Sequence, residues 1–218
     1  MRHMEESTLA QLREVVKKEL SPYRAAHTLG VERAPREIAQ WYAPGDMELL
    51  SAAALLHDIT KEYSNEEQLA LMARHGIVLR ADEQASPQIW HAITAPLLIC
   101  ERFPSLSRPA LLSAVRWHTT LRSGMTLGEA ILYLADLVED GRSFGDCVAL
   151  REHFFAADFA AMPPAARLAH LRDTLKRSFD TTLQKLKKAG KTPVLDMPAA
   201  MEDLLHGAIS RWSVSTEA

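Results

Sequence analysis

The run Leu49-Leu50-Ser51-Ala52-Ala53-Ala54-Leu55-Leu56 closes on His57-Asp58, and this junction constrains the fold more than any other stretch of the chain. A segment so apolar belongs in a core, and a carboxylate beside an imidazole at its end is costly to bury without partners. A metal ion removes the difficulty, because it takes the carboxylate charge and a neutral imidazole nitrogen as ligands. His91, His118 and Asp136 lie downstream at open spacings and His27 upstream, most of them on or at the end of an apolar helical stretch. Asp58 carries the most weight, since a carboxylate can bridge two metals whereas a histidine nitrogen serves one. Two divalent ions roughly 3.5–4 Å apart can clamp a phosphate oxygen between them. A donor set of nitrogen and oxygen without sulfur suits iron, manganese or zinc.

Taken singly, a histidine on an apolar helix is more often a hydrogen-bonded core residue than a ligand. The pair His57-Asp58 weakens that reading, because two neighbouring polar groups need separate partners. Asp136, on an apolar face after Leu134-Ala135, has a buried, paired carboxylate as its structural rival. His75, beside Gly76, suits a helix C-terminus. His3, His153, His170 and His206 stand in polar or terminal contexts and are given no role. Lys61, Arg122 and Arg142 each follow a candidate ligand by three to six residues, where they would stabilise a polyphosphate or would simply be solvated surface. Arg24, one turn before His27, is either a phosphate contact or a salt-bridge partner.

The remaining pattern is helical. Residues 7–19 carry Leu9, Leu12, Val15 and Val16 at helical spacing. Ser21-Pro22 starts a second helix, in which Pro35 predicts a kink or break. Asp46 caps the helix ending at His57-Asp58. Ser64 and Glu67 form a capping box for a helix stopping at His75-Gly76, and 77–85 reads as a loop. Ser86-Pro87 opens the helix of His91, and Ser107 caps the one reaching His118. Thr119 to Met125 is a polar loop, and Thr126 with Glu129 caps the helix of Asp136. Helices at about 146–160, 164–188 and 199–212 complete the chain. No stretch alternates with period two, so the fold class is all-α.

Of the 218 residues, 47% are apolar and 24% charged, which fits a globular chain. The net charge of −3 and the lack of a dense Lys/Arg block leave no general pull toward nucleic acid. Cys100 and Cys147 read as reduced, buried thiols. Without a long apolar run or an apolar N-terminal region, the expectation is a cytoplasmic protein with no membrane partner.

The ordered set His27, His57-Asp58, His91, His118 and Asp136 resembles the ligands of HD-domain phosphohydrolases with a two-metal site. The flanking words resemble one branch more closely, the YqeK-type symmetrical diadenosine tetraphosphate hydrolases. They are Arg24-Ala25-Ala26-His27-Thr28-Leu29-Gly30-Val31, Leu55-Leu56-His57-Asp58-Ile59-Thr60-Lys61-Glu62 and Arg116-Trp117-His118-Thr119-Thr120, with Gly124-Met125-Thr126, Tyr133-Leu134-Ala135-Asp136 and Lys188-Ala189-Gly190-Lys191-Thr192-Pro193. The likeness covers nearly the whole chain.

It implies an HD-type helical bundle in one domain, 1–218, with a core at about 20–142 and a helical C-terminal extension at about 143–218. It also implies two divalent ions, commonly iron. His27, His57, Asp58 and Asp136 would hold the first, and Asp58 would bridge to a second held by His91 and His118. A bridging hydroxide would attack a central phosphorus and release two ADP. Asp58, Lys61 and Arg122 are the expected catalytic groups, and Arg24, Lys61, Thr119, Arg122 and Arg142 the expected substrate contacts. A nucleotide is the expected partner, and a homodimer stays open. Three features depart from the family pattern: Leu121 where glycine usually precedes the arginine, Leu137 and Glu139-Asp140 in place of an aromatic residue and a Glu-Pro pair, and Pro35 in a normally continuous helix. The alternatives are an HD phosphohydrolase for another nucleotide and a non-catalytic nucleotide-binding module.

Overall fold

Helices account for every regular element among the described residues, which in this computed structural model are 6–207 and 212. His3 lies outside them, as does the 208–211 stretch of the final predicted helix. The N-terminal helix α1 (Glu6–Glu19) buries Leu9, Leu12 and Val16 on one face. Helix α2 (Pro22–Tyr42) starts as the sequence predicts: Ser21 accepts from the Arg24 N–H, and Pro22 occupies the first turn. Pro35 does not break it. The helix runs uninterrupted for 21 residues with Pro35 buried in it, and packing of α2 against its neighbours outweighs the lost backbone bond.

Helix α3 (Met47–Leu56) is buried on nearly every side, with Leu50 through Leu56 inaccessible, and it packs against α1, α2 and later helices. A helix apolar all round has no solvent face to present, so it takes the centre of the bundle. Each buried leucine contributes about 1.5–3 kcal/mol. Asp46 precedes α3 but makes no side-chain cap bond. Helix α4 (Asn65–Arg74) has the expected Ser64–Glu67 capping box and ends at His75.

The stretch predicted as a loop contains a short helix, α5 (Ala81–Gln84), closed by a bond from the Arg80 N–H to Glu83. Ser86-Pro87 opens a single 3₁₀ turn before α6 (Trp90–Arg102). Helix α7 (Pro109–Trp117) is preceded by Arg108 rather than Ser107 at the cap, with Pro109 supplying the start, and Ser107 Oγ makes no hydrogen bond. Helix α8 (Leu127–Val138) has the Thr126–Glu129 capping box and, like α3, is buried along almost its whole length. Helices α2, α3, α7 and α8 thus form one packed unit, with α6 on α7.

The C-terminal segment adds α9 (Gly145–Phe155), α10 (Pro164–Lys188) and α11 (Asp196–His206). Pro198 sits in the first turn of α11, which is why that helix begins before the predicted position. The segment is attached by specific contacts. Tyr42 stacks on Phe154 and donates to the Arg167 carbonyl, Tyr133 stacks on Phe179, and Arg167 lies over Trp41. Asp203 on α11 accepts the Gly124 N–H, and Trp212 donates to the Met125 carbonyl, so these two residues brace the loop after His118. Cys147 is buried as expected, whereas Cys100 is exposed; both are free. Among the described residues, no helix is long and apolar enough to cross a membrane.

Candidate metal centre

Helix ends aim two of the histidines. His57 and His118 each follow directly on the last residue of a helix, α3 and α7. The last carbonyls of a helix have no intrahelical donor. One of them, Ala54 O, accepts His57 Nδ1–H at 2.6 Å, and Val115 O accepts His118 Nδ1–H at 2.7 Å. Both rings therefore turn Nε2 toward the same interior point. His91 approaches from the first turn of α6, whose start is tied to the residues after Asp58 by bonds from Thr60 Oγ1 to the His91 carbonyl and to Thr94. His27 arrives from the middle of α2, and Asp136 from the last turn of α8.

These groups converge on Asp58, and its two oxygens divide them. Oδ2 lies 3.5 Å from His57 Nε2 and 3.9 Å from His27 Nε2. Oδ1 lies 3.3 Å from His91 Nε2 and 3.8 Å from His118 Nε2. Asp136 Oδ1 joins the first group, 3.0 Å from His27 Nε2 and 3.8 Å from His57 Nε2. In the second group the His91 and His118 Nε2 atoms are 3.2 Å apart. Donor atoms of His27, His57 and Asp136 all lie within 4.8 Å of one another, as do those of His57, Asp58 and His118.

The donor chemistry fits a cation. His27 Nε2 and His57 Nε2 are buried and make no aligned hydrogen bond, though Asp136 Oδ1 lies 3.0 Å from the first. Two inward-facing imidazole nitrogens and two carboxylates, Asp58 buried and Asp136 half-buried, offer a nitrogen and oxygen donor set that suits a divalent ion.

Charge in the surroundings is arranged accordingly. Burial works against ionisation of Asp58, yet the imidazoles of His57, His91 and His118 hold its carboxyl below the usual range. Asp136 is likewise held low against burial, chiefly by Arg142 and His27. Burial pushes His91 well down, and with His57 nearby it brings His118 to about 4, so both rings are neutral near pH 7. Burial also opposes protonation of His27, but Asp136 and Glu139 outweigh it and raise His27 to about 9.

The predicted cations occupy different places. Arg24 Nη1 donates to Asp58 Oδ2 at 2.7 Å, and Arg142 donates to Asp136 through Nη2 to Oδ1 and Nε to the carbonyl, both at 2.6 Å. Lys61 Nζ sits 3.1 Å from His91 Nδ1 and 3.2 Å from its Nε2, and burial lowers its pKa. Thr119 Oγ1 is buried and unpartnered. Arg122 is placed otherwise: its guanidinium engages Glu129 Oε1 at 3.0 Å and flanks Trp117. Those contacts anchor the loop after His118 instead of reaching the cluster.

Two local features stand out. Leu121 adopts φ 55° with its side chain fully buried, so burial of the side chain compensates a left-handed backbone. Glu139, noted in the sequence only as part of a departure, accepts from His27 Nδ1 at 3.0 Å. Its place three residues after Asp136, as the C-cap residue of α8, was the available signal.

Comparison with known proteins agrees with this geometry. The HD domain family model matches residues 24–140. A Bacillus subtilis protein named bis(5'-nucleosyl)-tetraphosphatase, symmetrical, is 33% identical over 129 residues, covering 59% of this chain and 68% of that protein. A protein of the same name from Halalkalibacterium halodurans is 30% identical over 135 residues, covering 60% and 68%. A crystal structure from Clostridium acetobutylicum, described as a predicted HD superfamily hydrolase involved in NAD metabolism, superimposes with a TM-score of 0.77 at 24% identity, over 90% of this chain and 96% of the other.

Proposed function

The chain belongs to the HD-domain family of metal-dependent hydrolases, and from that premise we propose that it cleaves diadenosine tetraphosphate symmetrically into two ADP. The observation that carries the proposal is the division of Asp58, with one oxygen toward His27 and His57 and the other toward His91 and His118. That arrangement suits two ions sharing one carboxylate. We assign His27, His57, Asp58 and Asp136 to the first and His91, His118 and Asp58 to the second, with iron as the metal and manganese or zinc able to substitute. Ions held there would supply Lewis acidity toward phosphate oxygens and would acidify a nearby water.

The chain's own groups supply the grip on a polyphosphate. Arg24, Lys61 and Arg142 bring three cationic side chains to the ligand carboxylates and to His91, and their remaining N–H groups suit phosphate oxygens. The hydroxyl of Thr119, adjacent to His118, is a further donor with no other partner. Arg122, held by Glu129, contributes by fixing the loop that carries Thr119. The overall charge of −3 makes these placed cations the source of anion affinity. The names of the Bacillus subtilis and Halalkalibacterium halodurans relatives support the substrate.

The test is a product analysis with purified protein, diadenosine tetraphosphate and Fe(II) or Mn(II), the nucleotides being separated chromatographically. ADP as sole product is expected. AMP plus ATP would overturn symmetrical cleavage, and no turnover with any metal would overturn the substrate assignment.

A further inference from the structure

His27 differs from His57 and His118 in how its ring is held. Those two take Nδ1–H acceptors from the free carbonyls of their own helix ends. His27 lies inside α2, where the preceding carbonyls are engaged in the helix ladder, so its acceptor must come from elsewhere. It comes from Glu139, 112 residues away, whose Oε1 is 3.0 Å from His27 Nδ1. The other oxygen, Oε2, accepts the Gly141 N–H at 2.7 Å, and the Glu139 carbonyl accepts from Arg151 at 2.7 Å. Glu139 is only 3% exposed. The space for its carboxylate is provided by Gly30, one turn after His27 on the same face of α2: a Cβ at that position would collide with Glu139 Oε2.

From this packing we propose that Glu139 is a positioning residue for the first ion site, and that Gly30 is required to admit it. The inference rests on reading the cluster as a metal centre. Glu139 accepts from Nδ1–H, so an ion binding at Nε2 would displace the second ring proton and take the lone pair there, and the carboxylate's negative charge strengthens that nitrogen as a donor. Outer carboxylates of this kind typically change metal affinity about 10- to 100-fold when removed. Oε1 is committed to His27 and Oε2 to the backbone, so Glu139 acts through the histidine.

The experiment measures Mn(II) binding calorimetrically to full-length protein stripped of metal with a chelator. Wild type is expected to bind two ions per chain. E139Q, which keeps the shape and loses the charge, is expected to weaken the tighter event by about 10- to 100-fold and to leave the other within twofold. The stripped variant should still melt cooperatively, its melting temperature lowered only by the share of the His27 proton affinity that Glu139 supplies. G30A, which leaves Glu139 in the sequence but displaces its carboxylate, should reproduce the same selective loss. Equal Mn(II) affinities in wild type and E139Q would overturn the proposal, as would a loss that falls equally on both ions or that accompanies a collapse in stripped-protein stability. Failure of wild type itself to bind Mn(II) would instead overturn the metal-centre reading on which the proposal rests.

Discussion

The two flanks of Asp58 reach similar donor sets by different construction. On the His91–His118 flank, orientation is local: His118 hangs from its own helix end, and His91 is fixed through Thr60 and faces Lys61. On the His27–Asp136 flank it is distant and ionic: Glu139 holds His27, and Arg142 holds Asp136. The first flank is built from neutral imidazoles facing one carboxylate oxygen, the second from two imidazoles facing two carboxylates. The contrast teaches that charge is concentrated on one side, so the two ion positions should differ in affinity, with the His27 side the tighter.

The largest expected effect erases the comparison. Asp58→Ala removes the shared carboxylate and should reduce bound Mn(II) from two ions per chain to none, with turnover abolished; retention of wild-type turnover in this variant would falsify the two-ion mechanism. Next in size is His118→Ala, which should leave one ion on the His27 side and lower turnover by about two to three orders of magnitude. Metal content by mass spectrometry decides it: loss of both ions would mean that the two flanks do not bind independently.

A moderate effect is expected at the loop that follows His118. Leu121→Gly should relieve the left-handed backbone by about 1 kcal/mol and forfeit about 3 kcal/mol of side-chain burial. The net is destabilisation of about 2 kcal/mol in denaturant melts, and an unchanged midpoint would mean that the loop does not depend on this side chain.

The smallest effect is in pH dependence of the stripped protein, and the two flanks should have opposite signs. His27, raised to about 9, contributes stability that is fully present below about 6.5 and is lost as the pH rises through about 9. His118, depressed to about 4, contributes stability that is present above about 6.5 and is lost as the pH falls through about 4. Melting temperature followed from pH 4 to 10 should therefore lose its alkaline slope in His27→Gln and part of its acid slope in His118→Gln. Parallel shifts of the whole curve in both variants would contradict the assignment.

Much of the scaffold was legible because its signals are local. The capping boxes at Ser64–Glu67 and Thr126–Glu129 and the Ser21-Pro22 start each rest on bonds within one turn. Where packing competes with such signals, sequence reasoning missed. Pro35 stays inside a continuous helix because α2 is held along its length, and Arg80 and Glu83 close a short helix in an apparent loop. Ser107 has the chemistry of a cap, yet the chain turns one residue later.

The same division runs through the centre itself. The sequence by itself determined the donor types, their order and the helices that carry them, since side-chain chemistry and helical periodicity are properties of short segments. Only the tertiary structure decided that Asp58 splits its oxygens between two histidine groups, that Arg122 is committed to Glu129, and that Glu139 stands behind His27 in space left by Gly30. Those facts depend on the relative placement of α2, α3, α6, α7 and α8, fixed by burial summed over the whole core, and no local segment encodes that sum.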